Sequence, residues 1–120
     1  MTKKTNQGFK RIYKAAGFSW QGLKSAFKNE AAFRQEIYLA IVLIPIAFYL
    51  EVSQIERILM IASIVLIMVM ELINTAIEAV VDRVGTEHHE LAGVAKDTGS
   101  AAVFVCMILA GYIWVEILFL

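Results

Sequence analysis

The chain reads Met70-Glu71-Leu72-Ile73-Asn74-Thr75-Ala76-Ile77-Glu78-Ala79-Val80-Val81-Asp82, so acidic side chains recur inside a strongly apolar segment. At about 100° per residue on a helix, Glu71, Glu78 and Asp82 fall within about 40° of one another. Asn74 lies about 60° to one side of Glu71. An ionised carboxylate in hydrocarbon costs at least ~2.5 kcal/mol. We therefore expect this polar stripe to face a protein interior, a metal ion or a substrate.

Composition places the chain in a membrane. Of its 120 residues 59% are hydrophobic, whereas a soluble domain has roughly 45–50% apolar residues. The length suits one domain, so we expect residues 1–120 to form a single membrane domain. The lone Cys106 lies in an apolar run, which excludes a disulfide framework or a cysteine-based metal site within one chain.

Positive charge is concentrated at the N-terminal end, although the formal net charge is zero. Residues 1–34 hold most of the basic side chains and one acid, Glu30. A basic arm can bind nucleic acid, but beside so apolar a body an anionic membrane surface is the better partner. We expect no nucleic acid partner.

The hydrophobic pattern predicts an all-α membrane protein with four helices. Residues 8–28 carry apolar side chains at helical intervals opposite a basic face, which favours an amphipathic helix lying in the membrane interface. A soluble helix packed on its own protein is the alternative. Residues of about 32–50, 58–81 and 95–119 are each long enough to cross ~30 Å of hydrocarbon. Within the first helix, Gly17 and Gly22 predict a break or a close contact.

The basic arm also predicts the orientation. The positive-inside rule places the N-terminus in the cytoplasm, and three crossings then place the C-terminus outside. From the length of the second span, Glu71 is expected roughly 10 Å below the cytoplasmic surface and Glu78 about level with it. One carboxylate would meet the lipid and the other would meet water.

Glu71 is the first candidate for chemistry, because burial brings a carboxylate towards the range in which it accepts protons near neutral pH. Its alternative role is an interhelical hydrogen bond. Glu78 and Glu30, expected at a similar depth, offer two hard oxygen ligands that suit Mg²⁺ bridging phosphates. Asn74 is expected to orient Glu71 or a substrate hydroxyl, or else to join two helices.

The second loop and the start of the third span form another polar region. Lys96, next to Asp97, is placed to neutralise phosphate charge, or is an ordinary cation flanking a span. The loop Glu87-His88-His89-Glu90 is interpreted as a ligand-contacting loop rather than as a metal site. The chain contains no Walker A sequence, kinase glycine-rich loop or GxSxG elbow.

Four motifs together resemble the prokaryotic diacylglycerol kinase family over essentially the whole chain. They are Lys14-Ala-Ala-Gly-Phe-Ser19-Trp20, Glu30-Ala-Ala-Phe-Arg34-Gln-Glu36, Glu71-Leu-Ile-Asn74-Thr-Ala-Ile-Glu78-Ala-Val-Val-Asp82-Arg83, and Ala95-Lys96-Asp97-Thr-Gly-Ser100-Ala-Ala. The resemblance implies a homotrimer of the bacterial inner (cytoplasmic) membrane, with sites between subunits. It also implies transfer of the γ-phosphoryl group of MgATP to the primary hydroxyl of diacylglycerol, which gives phosphatidic acid.

The resemblance further implies individual roles. Glu71 would be the catalytic base, and Glu30 and Glu78 would hold Mg²⁺. The residues implied around ATP are Arg11, Phe18, Glu30, Glu78, Glu87, His88, His89, Lys96 and Asp97. The residues implied at the lipid substrate are Arg11, Ala15, Ser19, Trp20, Ala32, Arg34, Glu71, Asn74 and Ser100. Phe18 and His88 stand where the best-known members carry tyrosines, so a hydroxyl-mediated ATP contact would be missing there.

Two other functions remain open at this point. A Gram-positive branch of the same family resembles this pattern but phosphorylates undecaprenol; the long basic surface helix favours diacylglycerol. A non-catalytic membrane protein would share the intramembrane acids. It would not need Glu30, Glu78 and Lys96 to converge at the cytoplasmic face.

Overall fold

The computed structural model describes residues 8–85 and 89–120, which form four α-helices with short connections. These are α1 (Phe9–Asn29), α2 (Ala31–Tyr49), α3 (Gln54–Val84) and α4 (Glu90–Phe119). Within the two described ranges there is no strand. The predicted all-α fold, with one amphipathic helix followed by three apolar ones, is confirmed.

Helices α3 and α4 begin before the apolar runs that predict them, because the polar residues that cap these helices lie outside the runs. Ser53 caps α3 through its hydroxyl oxygen, which accepts a hydrogen bond from the Glu56 N–H at 3.1 Å. The Glu56 carboxylate accepts from the Ser53 N–H at 2.9 Å in return. His89 caps α4, since its Nδ1 accepts from the Leu91 N–H at 3.1 Å. Each cap satisfies backbone donors that a helix start leaves free.

A single residue separates the first two helices. Glu30 has φ −117° and ψ 107°, an extended conformation that ends α1 and redirects the chain into α2. The Arg34 guanidinium donates to the carbonyls of Phe27 at 2.7 Å and Lys28 at 2.9 Å, both in the last turn of α1. Arg34 therefore holds the end of α1 against the start of α2.

The expectation for Gly17 and Gly22 was wrong. Helix α1 is continuous through both residues. A Cβ atom at either position would meet no other atom of residues 8–85 and 89–120 within 4 Å, so neither glycine mediates a close contact within those ranges. An isolated glycine costs a helix only ~1 kcal/mol, which the remaining turns of α1 tolerate.

At the opposite end of the molecule, Arg57 connects the end of α2 to the start of α3. Its guanidinium donates to the carbonyls of Ala47, Leu50 and Val52 at 3.1, 3.2 and 3.4 Å. The Ala47 carbonyl, in the last turn of α2, has no donor within its own helix, and Arg57 satisfies it, together with two carbonyls that follow α2, from the first turn of α3. The two helices are therefore joined as an antiparallel pair.

Helix α3 lies at the centre of the fold. It packs against α1, α2 and α4, whereas the backbones of α2 and α4 do not approach each other closely within the described residues. The core between α3 and α4 is formed by Ile67, Val103 and Ala110. Any polar group on the inner surfaces of α3 is therefore shared with several helices.

Two long-range hydrogen bonds from one side chain fix α4 on α3. The Trp114 indole N–H donates to the Met60 carbonyl and to the Ser63 hydroxyl oxygen, each at 3.2 Å. The Ser63 hydroxyl itself donates to the Met60 carbonyl at 2.7 Å. Such bonds fix helix register where apolar packing alone is weakly directional.

Helices α2, α3 and α4 are each long and apolar enough to cross a membrane. At ~1.5 Å per residue, the 31 residues of α3 extend about 46 Å, more than the ~30 Å of hydrocarbon. Large apolar side chains such as Phe48, Phe104 and Tyr112 remain more than half exposed. In water these surfaces would be unfavourable, so the chain is a multi-pass membrane protein.

Candidate active site

The polar stripe of α3 passes from the interior of the fold to its surface. Glu71 and Asn74 are each only 6% exposed. Glu78 is half-buried, and Asp82 is exposed. Because these residues lie on one face over about three turns, the stripe connects a buried acidic position with water at one end of the fold.

A second buried carboxyl group faces Glu71. Glu36, on α2, is 7% exposed. The Glu71 side chain lies within hydrogen-bonding distance of the Glu36 carboxyl group. No N–H or hydroxyl group of the described residues donates to either Glu36 oxygen. Two ionised carboxylates repel each other, whereas one shared proton joins them by a hydrogen bond. Glu71 is therefore a carboxyl group, the type of side chain that serves as a general base, with a second carboxyl group beside it.

Glu36 is a functional candidate that the sequence analysis missed. It appears there only as part of the motif that begins at Glu30. The argument applied to Glu71 applies equally to it, since Glu36 lies inside the predicted first span and an acid in hydrocarbon is costly. What the sequence could not supply was its partner, because Glu36 and Glu71 belong to different helices.

Asn74 lies at the contact between α3 and α4. Its side chain touches Gly99, and a Cβ atom at position 99 would overlap the Asn74 amide oxygen. That oxygen is buried and has no hydrogen-bond partner among the described residues. Glycine at position 99 therefore permits the close approach of the two helices.

This contact supports a test by double substitution. Gly99→Ala is expected to lower kcat/KM roughly tenfold, because the new methyl group must displace the Asn74 amide; contacting residues commonly couple this strongly. In an Asn74→Ala background the same change should have little further effect. Kinetics of the single and double variants measure the coupling.

Gly111→Ala is the matched control on the same helix, since a Cβ there meets no atom of the described part of the chain within 4 Å. Its activity should stay near that of the parent protein. Fully additive effects of Gly99→Ala and Asn74→Ala would contradict the proposed contact.

The water-facing end of the stripe carries a cation. The Lys96 Nζ atom lies 2.7 Å from an Asp82 carboxylate oxygen, and Glu78 adds a further attraction. Since both partners are substantially exposed, water weakens this ion pair and it is easily exchanged. Lys96 stands in the second turn of α4, not at its opening as expected, because the helix begins at Glu90.

The predicted metal ligands lie on different elements. Glu30 is half-buried at the junction of α1 and α2, and Glu78 is half-buried on α3. Residues 8–85 and 89–120 contain no group of three or more His, Cys, Asp or Glu side chains that could hold a metal ion. An all-protein metal cage is therefore absent from these ranges. One or two carboxylates that complete a phosphate-bound Mg²⁺ ion remain compatible with this donor set.

The other predicted site residues fall into three groups. Glu87 and His88 lie outside the described residues, and His89 serves as the cap of α4. Two side chains make bonds within the fold: the Ser19 hydroxyl donates to the Ala15 carbonyl at 2.9 Å, and Arg34 holds α1 against α2. The remaining predicted residues are exposed in the isolated chain: Arg11, Phe18, Trp20, Ala32, Asp97 and Ser100.

Helix α1 walls two apolar clefts. The wider one, about 760 Å³, lies between α1 and α2 and is lined by Trp20, Phe27, Phe33 and Ile37 among others. A second cleft of about 560 Å³ lies between α1 and α3, on the segment of α3 that follows Glu71. Apolar clefts of this size accept the non-polar parts of a lipid-like ligand.

The fold and site define a multi-pass helical membrane protein with a buried acidic pair and a charged, water-facing end. The family model for prokaryotic diacylglycerol kinase matches residues 17–118. The chain belongs to this family, and it is therefore a membrane enzyme that carries out a nucleotide-dependent kinase reaction. The resemblance inferred from the four motifs is confirmed.

Several named relatives agree over almost their full length. The chain is 54% identical over 112 residues to a diacylglycerol kinase of Haemophilus influenzae, covering 93% of this chain and 95% of the relative. It is 55% identical over 107 residues to that of Escherichia coli strain K12, covering 89% and 88%. It is 52% identical over 115 residues to that of Pseudomonas aeruginosa, covering 96% and 94%.

Proposed function

We propose that this protein transfers the γ-phosphoryl group of MgATP to the primary hydroxyl of diacylglycerol, giving phosphatidic acid. Family membership supports the reaction class and the lipid substrate. The observation that carries the proposal is the buried pair of Glu71 and Glu36, in which Glu71 directly precedes the α3 residues that line an apolar cleft. Phosphorylation of a lipid hydroxyl needs a base at a depth that the hydroxyl can reach from the membrane.

Glu71 is proposed as the catalytic base. It would accept the hydroxyl proton as the lipid oxygen attacks phosphorus, and Glu36 would hold the receiving carboxylate in position. Phosphoryl transfer needs little covalent help beyond alignment, charge neutralisation and a group that takes this proton. The Asn74 amide, left free at the contact with Gly99, is placed to orient the attacking hydroxyl.

The water-facing end is proposed to receive ATP. Lys96 would exchange its exposed ion pair with Asp82 for contacts with phosphate oxygens. Glu30 and Glu78 would hold Mg²⁺, which neutralises phosphate charge when it is bound. The other nucleotide contacts are proposed from the family pattern: Arg11, Phe18, Glu87, His88, His89 and Asp97.

Lipid contacts, assembly and orientation complete the proposal. Besides Glu71 and Asn74, the lipid contacts are proposed at Arg11, Ala15, Ser19, Trp20, Ala32, Arg34 and Ser100. A homotrimer with sites between subunits is proposed from the family pattern, and an oligomer is consistent with the few polar groups that one chain buries. We place the protein in the bacterial inner membrane with its N-terminus in the cytoplasm and its C-terminus outside.

The proposal is tested with purified protein in mixed micelles, given radiolabelled ATP and each lipid in turn. We expect labelled phosphatidic acid from diacylglycerol and much slower labelling of undecaprenol. Labelling of undecaprenol alone would assign the protein to the other branch. Absence of transfer to either lipid in a folded preparation would favour a non-catalytic membrane protein.

A further inference from the structure

Three hydroxyl side chains line the cleft between α1 and α3, and one of them has no partner. Ser19 donates to the Ala15 carbonyl of its own helix at 2.9 Å. Ser25 accepts a hydrogen bond from the Asn29 amide at 3.3 Å. Thr75, on α3, differs from both, because its hydroxyl oxygen is covered and has no hydrogen-bond partner among the described residues.

The free hydroxyl of Thr75 is unexpected on physical grounds. A threonine within a helix can donate to the carbonyl of the residue three or four positions earlier, as Ser19 does. A buried hydroxyl without a partner is unfavourable, and hydrocarbon offers none. Rotation about the Thr75 Cα–Cβ bond would turn the covered hydroxyl towards the cleft, where a ligand that carries a hydrogen-bond acceptor would remove this penalty.

The position of Thr75 limits where that acceptor lies. Thr75 follows Glu71 by four residues, which is about 6 Å along the helix and about 40° around it. The acceptor therefore lies about one helical turn from the atom that gives its proton to Glu71. Both side chains project from the same stripe.

The lining of the cleft limits the chemistry of the acceptor. Its walls are apolar or carry hydroxyl groups, with small residues Gly22, Ala26, Ala76 and Ala79, and no charged side chain of the described residues lines it. A phosphate group would be poorly stabilised there, and the lysine proposed to contact phosphate, Lys96, pairs with Asp82 at the water-facing end instead of lining this cleft. A neutral carbonyl oxygen suits the cleft. In a diacylglycerol, ester carbonyls lie a few bonds from the reacting hydroxyl.

We propose that Thr75 is a substrate-positioning residue that donates a hydrogen bond to an ester carbonyl of the lipid substrate in the cleft between α1 and α3. This inference rests on the proposed lipid kinase function. Thr75 thereby fixes the glycerol backbone while the primary hydroxyl reaches Glu71. It also distinguishes ester-linked lipids from ether-linked ones, because dialkylglycerols have the same hydroxyl but no carbonyl oxygen.

The test compares 1,2-diacylglycerol with the matching 1,2-dialkylglycerol as substrates of the full-length protein. Parent protein, Thr75→Val, Thr75→Ala and Thr75→Ser are assayed for kcat/KM with each lipid and for the KM of ATP. The ratio of kcat/KM for the ester to that for the ether does not depend on the amount of folded enzyme. Thr98→Val, the same change at an exposed position of α4, is the matched control.

We expect Thr75→Val and Thr75→Ala to lower the ester-to-ether ratio about three- to tenfold, the effect of one neutral hydrogen bond. Thr75→Ser should keep the parent ratio, as should Thr98→Val, and the KM of ATP should not change. An unchanged ratio in Thr75→Val and Thr75→Ala, or the same loss in Thr75→Ser, would overturn the inference. If the parent protein phosphorylates neither lipid, the proposed function fails first.

Discussion

Replacing Glu71 by Gln is expected to lower the turnover number for lipid phosphorylation by roughly 10²-fold or more, the scale of general base catalysis. The amide cannot accept the hydroxyl proton, but it keeps the volume of the side chain and can donate a hydrogen bond to Glu36. Glu71 is buried, with 6% of its surface exposed. Because glutamine has nearly the same shape as glutamate, the change should leave the packing of α3 intact. Steady-state turnover and circular dichroism of the purified variant measure both effects.

Glu51→Gln is the matched control for this prediction. It makes the same chemical change at an exposed position between α2 and α3, at the end of the fold far from Glu71. Its turnover should match that of the parent protein. A folded Glu71→Gln protein with near-normal turnover would remove Glu71 from the role of base.

Removing the charge of Glu78 is expected to raise the Mg²⁺ concentration needed for half-maximal activity by roughly tenfold or more. Losses of this size follow even the removal of groups that only support metal ligands. Glu78→Gln keeps the shape of the side chain on its half-buried position but weakens its affinity for a hard cation. Activity is measured across a Mg²⁺ titration at saturating ATP, and Glu30→Gln is expected to behave similarly.

The control for the metal prediction is again Glu51→Gln, an exposed acid between α2 and α3 at the other end of the fold. It should leave the Mg²⁺ titration unchanged. If Glu78→Gln and Glu30→Gln both give the titration of the parent protein, then neither carboxylate holds the ion and ATP alone carries it.

Much of the fold follows from periodicity. Apolar runs of sufficient length predict three spans. The fixed rotation per residue of a helix places Glu71, Asn74 and Glu78 on one face. The structure has three such helices and places Glu71 and Asn74 in its interior. The helix starts were predicted less well, because the caps Ser53 and His89 lie outside the apolar runs.

The sequence by itself determined the class of protein, the number of spans and the acidic stripe, because each depends on residues that are near one another along the chain. Only the tertiary structure decided that the Glu36 side chain lies beside Glu71 and that the Asn74 side chain packs against Gly99. It alone left the Thr75 hydroxyl without a partner. These features depend on which faces of α2, α3 and α4 pack together, and helix periodicity specifies a face but not its partner.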